Sequence, residues 1–194
     1  MKQVAALPTI IQKLRLLYQR DPIAFQTLNF ETGTQQNGHS DAVHFHCLPH
    51  RFLCGAWIAM EDTDAENGPL FYYPGGHKLP IVEPADMGWK TPDYKKYIEY
   101  IGKLIALQSF ERKEIHMKKG QALLWAANLI HGGSRVLDRS RTRYSQVTHY
   151  FFENCIYYKP WETDFVQKTI KHIDLTNIAT GKEVRHIRNG EVVY

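Results

Sequence analysis

Two residues with metal-binding side chains, His39 and Asp41, stand two positions apart in the stretch Asn37–Phe45, "NGHSDAVHF". On an extended chain, residues i and i+2 point to the same side, so both side chains can reach one ion. A third donor, His131, follows an apolar segment much later in the chain, in "ANLIHGGS". Two histidines and one carboxylate are the donor set of non-haem Fe(II) sites, which leave open positions for a cosubstrate and dioxygen. These residues therefore predict an iron site.

Other histidines compete with His131 for the third position. An HxD pair is by itself a weak signal, and spacing does not decide which further histidine completes the set. Two of the rivals lie in "AVHFHC", which we predict to be a strand, and they would line the same cavity or face solvent. The rivals are His44, His46, His77 and His149.

An arginine after His131 suggests the cosubstrate. A 2-oxoglutarate molecule chelates iron through its keto acid and leaves a second carboxylate, which a buried arginine can bind in a bidentate manner. Arg143 stands at the start of a predicted strand, "RYSQVTHYFF", and Ser145 shares its face. We therefore predict Arg143 as the residue that binds the distal carboxylate, with Ser145 as an additional donor and Arg141 as the alternative arginine.

The composition is that of an ordinary globular protein, with 43% hydrophobic and 23% charged residues in 194. This length suits one domain, residues 1–194, in which we predict a core over about 22–153 and a C-terminal extension over 154–194. The net charge of +4 is a mild excess without a clustered stripe, so we expect a small-molecule substrate and no nucleic-acid partner.

The sequence contains neither a long apolar run nor a signal peptide. We therefore expect no membrane association and a cytoplasmic location. The cysteines are scattered and odd in number, which predicts free thiols rather than disulfides or a zinc site. They are Cys47, Cys54 and Cys155.

The pattern of elements favours a β-rich fold. A helix is predicted from Pro8 to just before Asp21-Pro22, and a longer helix is predicted to open at Thr91-Pro92. Between and after them come many short strand-like segments, and the last residues predict a hairpin that turns at Asn189-Gly190. We predict a mainly β protein with flanking α-helices, a sandwich or barrel.

Four stretches resemble the phytanoyl-CoA dioxygenase family of Fe(II)/2-oxoglutarate oxygenases, and they occur in the family's order over roughly residues 22–153. They are "GTQQNGHSD", "GAWIAMEDTDAENGPLFYYPGGHK", "KKGQALLWAANLIHGGS" and "RTRYSQVTHYFFE". The resemblance implies a double-stranded β-helix, the jelly-roll or cupin-like fold, with iron between two sheets.

The resemblance also implies roles for single residues. It implies iron ligation by His39, Asp41 and His131 and a contact between Arg143 and 2-oxoglutarate. Two further residues are implied to line or contact the cosubstrate pocket, Trp57 and Asn29. His77 is implied to be structural rather than a ligand.

The sequence departs from the family in two respects. The family often has serine two residues after the distal histidine, whereas this chain has Gly133, so Ser134 or Ser145 would have to replace that hydroxyl. Only the first 38 residues precede His39, fewer than family members commonly have. We expect either that the protein is a compact form of the family or that part of the N-terminal lid over the active site is missing. In both cases the site would be more open, which would suit a larger substrate.

The activity implied by the resemblance is hydroxylation of an unactivated C–H bond, with succinate and CO2 as coproducts of 2-oxoglutarate and O2. Asp41 favours hydroxylation over halogenation, because related halogenases lack this carboxylate. A small, polar metabolite is expected, with candidate substrate residues Gln36, His44, His46, Tyr72 and Tyr73. The alternatives are a non-catalytic ligand-binding β-helix module, desaturation or epoxidation at the same iron, and a zinc-dependent hydrolase or isomerase.

Overall fold

The computed structural model describes residues 2–89 and 93–193. Its helices are α1 (Lys2–Ala5), α2 (Pro8–Tyr18) and α3 (Tyr94–Gln108), with 3-10 turns at Asp41–Val43, Gly76–Lys78 and Pro160–Glu162. Its strands are β1 (Pro22–Phe30), β2 (His46–Leu48), β3 (Leu53–Ala59), β4 (Leu70–Tyr72), β5 (Lys113–Ile115), β6 (Ala122–Ala126), β7 (His131–Gly133), β8 (Ser145–Phe152), β9 (Ile156–Tyr158), β10 (Leu175–Thr176), β11 (Glu183–Val184), β12 (Ile187–Arg188) and β13 (Glu191–Val192).

Two antiparallel sheets form the centre of the molecule. The larger has the strand order β1-β8-β3-β6, and the smaller has the order β5-β4-β7. Smaller pairs, β2-β9, β10-β11 and β12-β13, lie outside them. The predicted class, mainly β with flanking helices, is confirmed.

The larger sheet is covered on both faces, which explains why all residues of β3 and β8 are buried. One face packs against the N-terminal helices, where Leu14 of α2 joins Tyr150 and Phe152 of β8. The opposite face packs toward the smaller sheet, where Trp57 and Val147 meet Leu70. Alternate residues of each strand therefore serve two different layers.

The segment after Asp41 differs from its prediction as a continuous strand. Asp41–Val43 forms a 3-10 turn, and β2 begins only at His46. The turn is fixed at its start, because Ser40 accepts a hydrogen bond from the backbone N–H of Ala42. The apolar segment before His131 is not a continuous strand either, since β6 and β7 are separated by a turn at residues 127–130.

The predictions of helix α2 and of the C-terminal hairpin agree with the structure. Helix α2 begins at Pro8 and ends before Pro22, and the C-terminal hairpin turns at Asn189 and Gly190, both with positive φ. The predicted start of α3 at Thr91-Pro92 lies outside the described residues. In the described part, Asp93 caps α3 by accepting a hydrogen bond from the N–H of Lys96.

All three cysteines are free and buried, as predicted. Among the helices in residues 2–89 and 93–193, none is long and apolar enough to cross a membrane.

Candidate metal centre

The two predicted histidine ligands come from neighbouring backbone segments. His39 and His131 form an isolated antiparallel bridge, in which each N–H donates to the other's carbonyl, at 2.9 and 3.0 Å. Asp41 follows in the 3-10 turn and brings its Oδ1 to 3.6 Å from His39 Nε2 and 3.7 Å from His131 Nε2. One donor atom from each of the three residues lies within 4.8 Å of the others. The three side chains therefore converge on a space suited to one ion.

Hydrogen bonds on the far side of each imidazole fix its tautomer. Nδ1 of His39 bonds to the carbonyl of Asn37 at 2.9 Å, and Nδ1 of His131 bonds to the carbonyl of Leu129 at 3.0 Å. A carbonyl only accepts, so Nδ1 carries the proton and Nε2 keeps its lone pair. The two Nε2 atoms lie 3.6 and 3.7 Å from Asp41 Oδ1, and this donor set fits a divalent iron ion.

The second carboxylate oxygen of Asp41 is held by the protein. Trp125 Nε1 donates a hydrogen bond of 2.8 Å to Asp41 Oδ2, and His149 Nε2 lies 3.4 Å from the same oxygen. Oδ1 is therefore the oxygen that remains for an ion. No pattern in the sequence indicated Trp125, and His149 was predicted only as a rival ligand.

The charges at the site suit metal binding. Burial would raise the pKa of Asp41, but the nearby His131 and His149 outweigh it and hold the pKa well below its usual range. Burial lowers the pKa of His131 to about 4. Burial would also lower the pKa of His39, but its hydrogen bond and charge interaction with Asp41 raise that pKa overall. Asp41 is therefore ionised and His131 neutral near pH 7.

The triad opens into a cavity of about 300 Å³ between the two sheets. Its walls carry the apolar side chains Leu28, Phe30, Phe45, Leu70 and Val147. Among the residues that the structure describes, Arg143 is the only arginine or lysine in the lining. A cationic side chain and a metal site thus share one largely apolar cavity.

Arg143 is buried and largely unpaired. Only 1% of the residue is exposed, and its Nε and Nη1 have no hydrogen-bond partner among the described residues. Its Nη2 lies 3.5 Å from the carbonyl oxygen of Thr32, and its guanidinium lies 5.4 Å from the Trp57 ring centre. Burial lowers the pKa of Arg143 to about 10, so the side chain stays charged near pH 7. Such a group favours an anion.

The alternative arginine lies elsewhere. Arg141 forms two hydrogen bonds with the carboxylate of Asp64, at 3.0 and 2.8 Å, in a partly exposed ion pair. It does not line the cavity.

Three of the other predicted site residues line the cavity. Trp57 is buried there, with its Nε1 unpaired within the described part of the chain. Gln36 and His44 lie at the exposed mouth, where the His44 ring stacks on Tyr94 at 5.5 Å. Ser145 has a buried hydroxyl without a partner among the described residues, but it lies outside the cavity lining.

The predicted position of Asn29 is corrected by the structure. Asn29 is exposed on β1, where Leu28 and Phe30 on either side of it point into the cavity. Because side chains alternate along a strand, Asn29 points away from the cosubstrate space. Gln26 is the polar residue of β1 that lines the cavity.

The predicted substrate residues His46 and Tyr72 are also corrected. His46 is fully buried in β2, outside the cavity, with its ring stacked on His50 at 4.9 Å. Tyr72 pairs in register with His131 but does not line the cavity, and neither does Tyr73, which packs in a separate apolar cluster.

Two further residues have other partners. The Ser134 hydroxyl hydrogen-bonds to Arg112 and Glu114, which leaves it outside the cavity lining. The side chain of His77 is exposed, and its backbone carbonyl accepts hydrogen bonds from Arg51 and Asn128.

Two facing sheets with a His–Asp–His triad between them define the class of non-haem iron oxygenases that use 2-oxoglutarate. The family model for phytanoyl-CoA dioxygenase (PhyH) matches residues 3–142, and the chain belongs to this family. The rat peroxisomal phytanoyl-CoA dioxygenase is 32% identical over 125 residues, covering 61% of this chain and 34% of the relative. The mouse phytanoyl-CoA dioxygenase domain-containing protein 1 is 26% identical over 148 residues, covering 71% of this chain and 48% of the relative. The chain thus spans a third to a half of these relatives.

Solved structures share the fold. The epimerase SnoN, in complex with Fe3+, alpha ketoglutarate and nogalamycin RO, matches with a TM-score of 0.68 and 19% identity, over 100% of this chain and 70% of that chain. EctD from S. alaskensis with bound Fe matches with a TM-score of 0.59 and 20% identity, over 77% of this chain and 52% of that chain. The predicted jelly-roll core is confirmed, and the predicted cofactors, Fe(II) and 2-oxoglutarate with O2, agree with the family and the triad.

Proposed function

We propose that this protein is an Fe(II)- and 2-oxoglutarate-dependent dioxygenase that hydroxylates an unactivated C–H bond of a small, polar molecule. The observation that carries the proposal is the buried guanidinium of Arg143, whose Nε and Nη1 have no hydrogen-bond partner among the described residues, in the same cavity as the His39–Asp41–His131 triad. The whole enzyme's substrate is part of this proposal, because the chain covers only part of its relatives.

The cavity favours a dicarboxylate with a chelating group at one end. A buried charge with incomplete hydrogen bonding costs several kcal/mol of stability, so the free Nε and Nη1 of Arg143 are best explained by an anionic ligand. The triad supplies only three of the positions around an octahedral ion and leaves room for a bidentate ligand. A keto acid bound to the ion, with its second carboxylate at Arg143, satisfies both requirements. A zinc hydrolase would have no use for this arginine.

The residues of this chain would bind the iron and the cosubstrate, orient them, and exclude water from the cavity. Bound iron, 2-oxoglutarate and O2 together supply the oxidation, with succinate and CO2 as coproducts. Trp125 and His149 orient the carboxylate of Asp41, and Arg143 anchors the cosubstrate. The apolar walls around Phe30 and Val147 keep water away from the reacting centre.

The cavity mouth supports a substrate with both polar and apolar parts. Gln36 and His44 offer hydrogen-bonding groups there, beside the apolar Leu28 and Phe45. This supports a polar metabolite that carries a carbon skeleton. The names of related structures include an epimerase and a carbocyclase. Another oxidative outcome, desaturation and epoxidation included, is therefore the alternative reaction on the same iron. The cytoplasmic location stays a prediction.

The proposal is tested by anaerobic titration of the purified protein with Fe(II) and 2-oxoglutarate. Chelation of iron by the keto acid should give a weak visible charge-transfer band that saturates at one equivalent. Folded protein without any such band would contradict the proposal.

Arg143→Ala provides the second arm of the test. Loss of the buried cation should raise the 2-oxoglutarate concentration for half-saturation of the band by about 100-fold or more, the scale of a broken buried ion pair. Arg141→Ala removes a neighbouring arginine that pairs with Asp64 and should leave the titration unchanged. If Arg141→Ala weakened 2-oxoglutarate binding and Arg143→Ala did not, the carboxylate contact would belong to Arg141.

A further inference from the structure

Gly133 is a residue of β7 that has no side chain. It lies two residues after His131 on β7, so a side chain there would point to the same side as the His131 imidazole. A Cβ placed on Gly133 would lie 2.5 Å from Thr34 Oγ1, too close for both to be present. The Thr34 hydroxyl therefore fills the space that a side chain at position 133 would take.

The segment that carries Thr34 is fixed between β7 and Arg143. The N–H of Gly133 donates to the carbonyl of Gln36 at 3.0 Å, and Arg143 Nη2 approaches the carbonyl of Thr32 at 3.5 Å. Thr34 lies midway between these two contacts and lines the same cavity as Arg143. Thr34 is therefore held on a short segment that contacts both β7 and Arg143, and it lines the cavity that contains the Arg143 guanidinium.

The nearby serines do not offer the same contact. The Ser134 hydroxyl is already bound to Arg112 and Glu114. Ser145 is buried beyond the cavity lining.

We propose that Thr34 donates its hydroxyl to the distal carboxylate of 2-oxoglutarate beside Arg143. A hydroxyl from the loop before the HxD motif thereby replaces the serine that the family often carries at the position of Gly133. This inference rests on the proposed function, since it assumes that Arg143 binds that carboxylate. It makes Thr34 a cosubstrate-binding residue of this chain.

Thr34→Val and Thr34→Ser test the proposal, because valine keeps the shape and serine keeps the hydroxyl. In the anaerobic titration with Fe(II), Thr34→Val should weaken 2-oxoglutarate binding by about tenfold to 100-fold, the scale of one hydrogen bond to a charged group. Thr34→Ser should stay close to the wild type. Iron affinity without 2-oxoglutarate, and the thermal unfolding temperature, should be unchanged in both. The control is Thr27→Val, since Thr27 lies on β1 outside the lining.

A double substitution tests whether a hydroxyl at position 133 can replace the one at position 34. Thr34→Ala removes the atom closest to a Cβ at position 133 and leaves the backbone nitrogens of Gln35 and Gln36 at 3.0 and 3.3 Å, so a serine fits there only with a small shift of this segment. Thr34→Ala with Gly133→Ser should then bind 2-oxoglutarate more tightly than Thr34→Ala alone. A folded double variant without that recovery would contradict the exchange. The valine and serine variants decide the proposal even where the double variant does not fold.

The outcomes separate the two proposals. A wild type that gives no band at all contradicts the proposed function. A wild type that titrates normally, with Thr34→Val within twofold of it, overturns the role of Thr34 alone.

Discussion

At the scale of single residues, the clustering of the three candidate metal donors could be predicted from the sequence, but the groups that orient them could not. His39 and Asp41 lie two positions apart in the chain, and both have side chains of types that bind metals. Trp125 looks like an ordinary core residue, and its contact with Asp41 depends on how β6 lies in the sheet. Asn29 was placed at the cosubstrate by resemblance, whereas the register of β1 turns it outward.

Trp125→Phe tests the orienting role. Phenylalanine keeps most of the ring but cannot donate to Asp41 Oδ2, so we expect iron affinity to fall by about tenfold to 100-fold, as for other groups behind a metal ligand. The measurement is competition for Fe(II) against a coloured chelator under anaerobic conditions. Trp161→Phe, on a 3-10 turn away from the triad, is the control. Equal affinities for the Trp125 variant and the wild type would remove this residue from the site.

At the scale of elements, a glycine in β3 makes room for the orienting tryptophan. Gly55 pairs with Trp125 across β3 and β6, and a Cβ on Gly55 would overlap the indole ring. The sequence predicted many short strands in this region, but which residue lies opposite Gly55 depends on the pairing of distant strands. The turn at Asp41–Val43 escaped prediction because apolar alternation in "AVHFHC" resembles a strand, while the cap from Ser40 favours a turn.

Gly55→Ala should therefore affect both stability and metal binding. Overpacking of a filled core typically costs about 1–3 kcal/mol, and displacement of the indole should also weaken iron binding. Denaturant unfolding and the chelator competition measure the two effects.

Gly102→Ala is the matched control for Gly55→Ala. Gly102 lies in α3 with open space around its Cα, so alanine should stabilise the protein by about 0.5–1 kcal/mol. Unchanged stability and iron affinity in Gly55→Ala would contradict the close packing of Trp125.

At the scale of the whole molecule, the buried histidines make the stability depend on pH. His46 was predicted to contact substrate, yet it is buried in β2 with both ring nitrogens unpaired among the described residues. Burial, aided by the charges of His50 and Arg51, lowers the pKa of His46 from 6.5 to about 3. The unfolded chain binds this proton more readily, so the folded state loses stability as the pH falls from about 6.5 toward 3.

His46→Phe should reduce that loss. Between pH 7 and pH 5 the wild type should lose about 2 kcal/mol more of its unfolding free energy than the variant, because only the wild type gains a proton on unfolding at this site. Urea unfolding at both pH values, with a chelator present, measures the difference. Parallel losses in the two proteins would show that His46 is not held neutral by the fold.

The most direct test of the central claim is a crystal structure of the protein grown anaerobically with Fe(II) and 2-oxoglutarate. Diffraction data on both sides of the iron absorption edge locate the ion. We predict one iron peak bonded to His39 Nε2, Asp41 Oδ1 and His131 Nε2, with the distal carboxylate of 2-oxoglutarate on Arg143. An iron peak at another site, or a cosubstrate carboxylate that does not reach Arg143, would contradict the proposal.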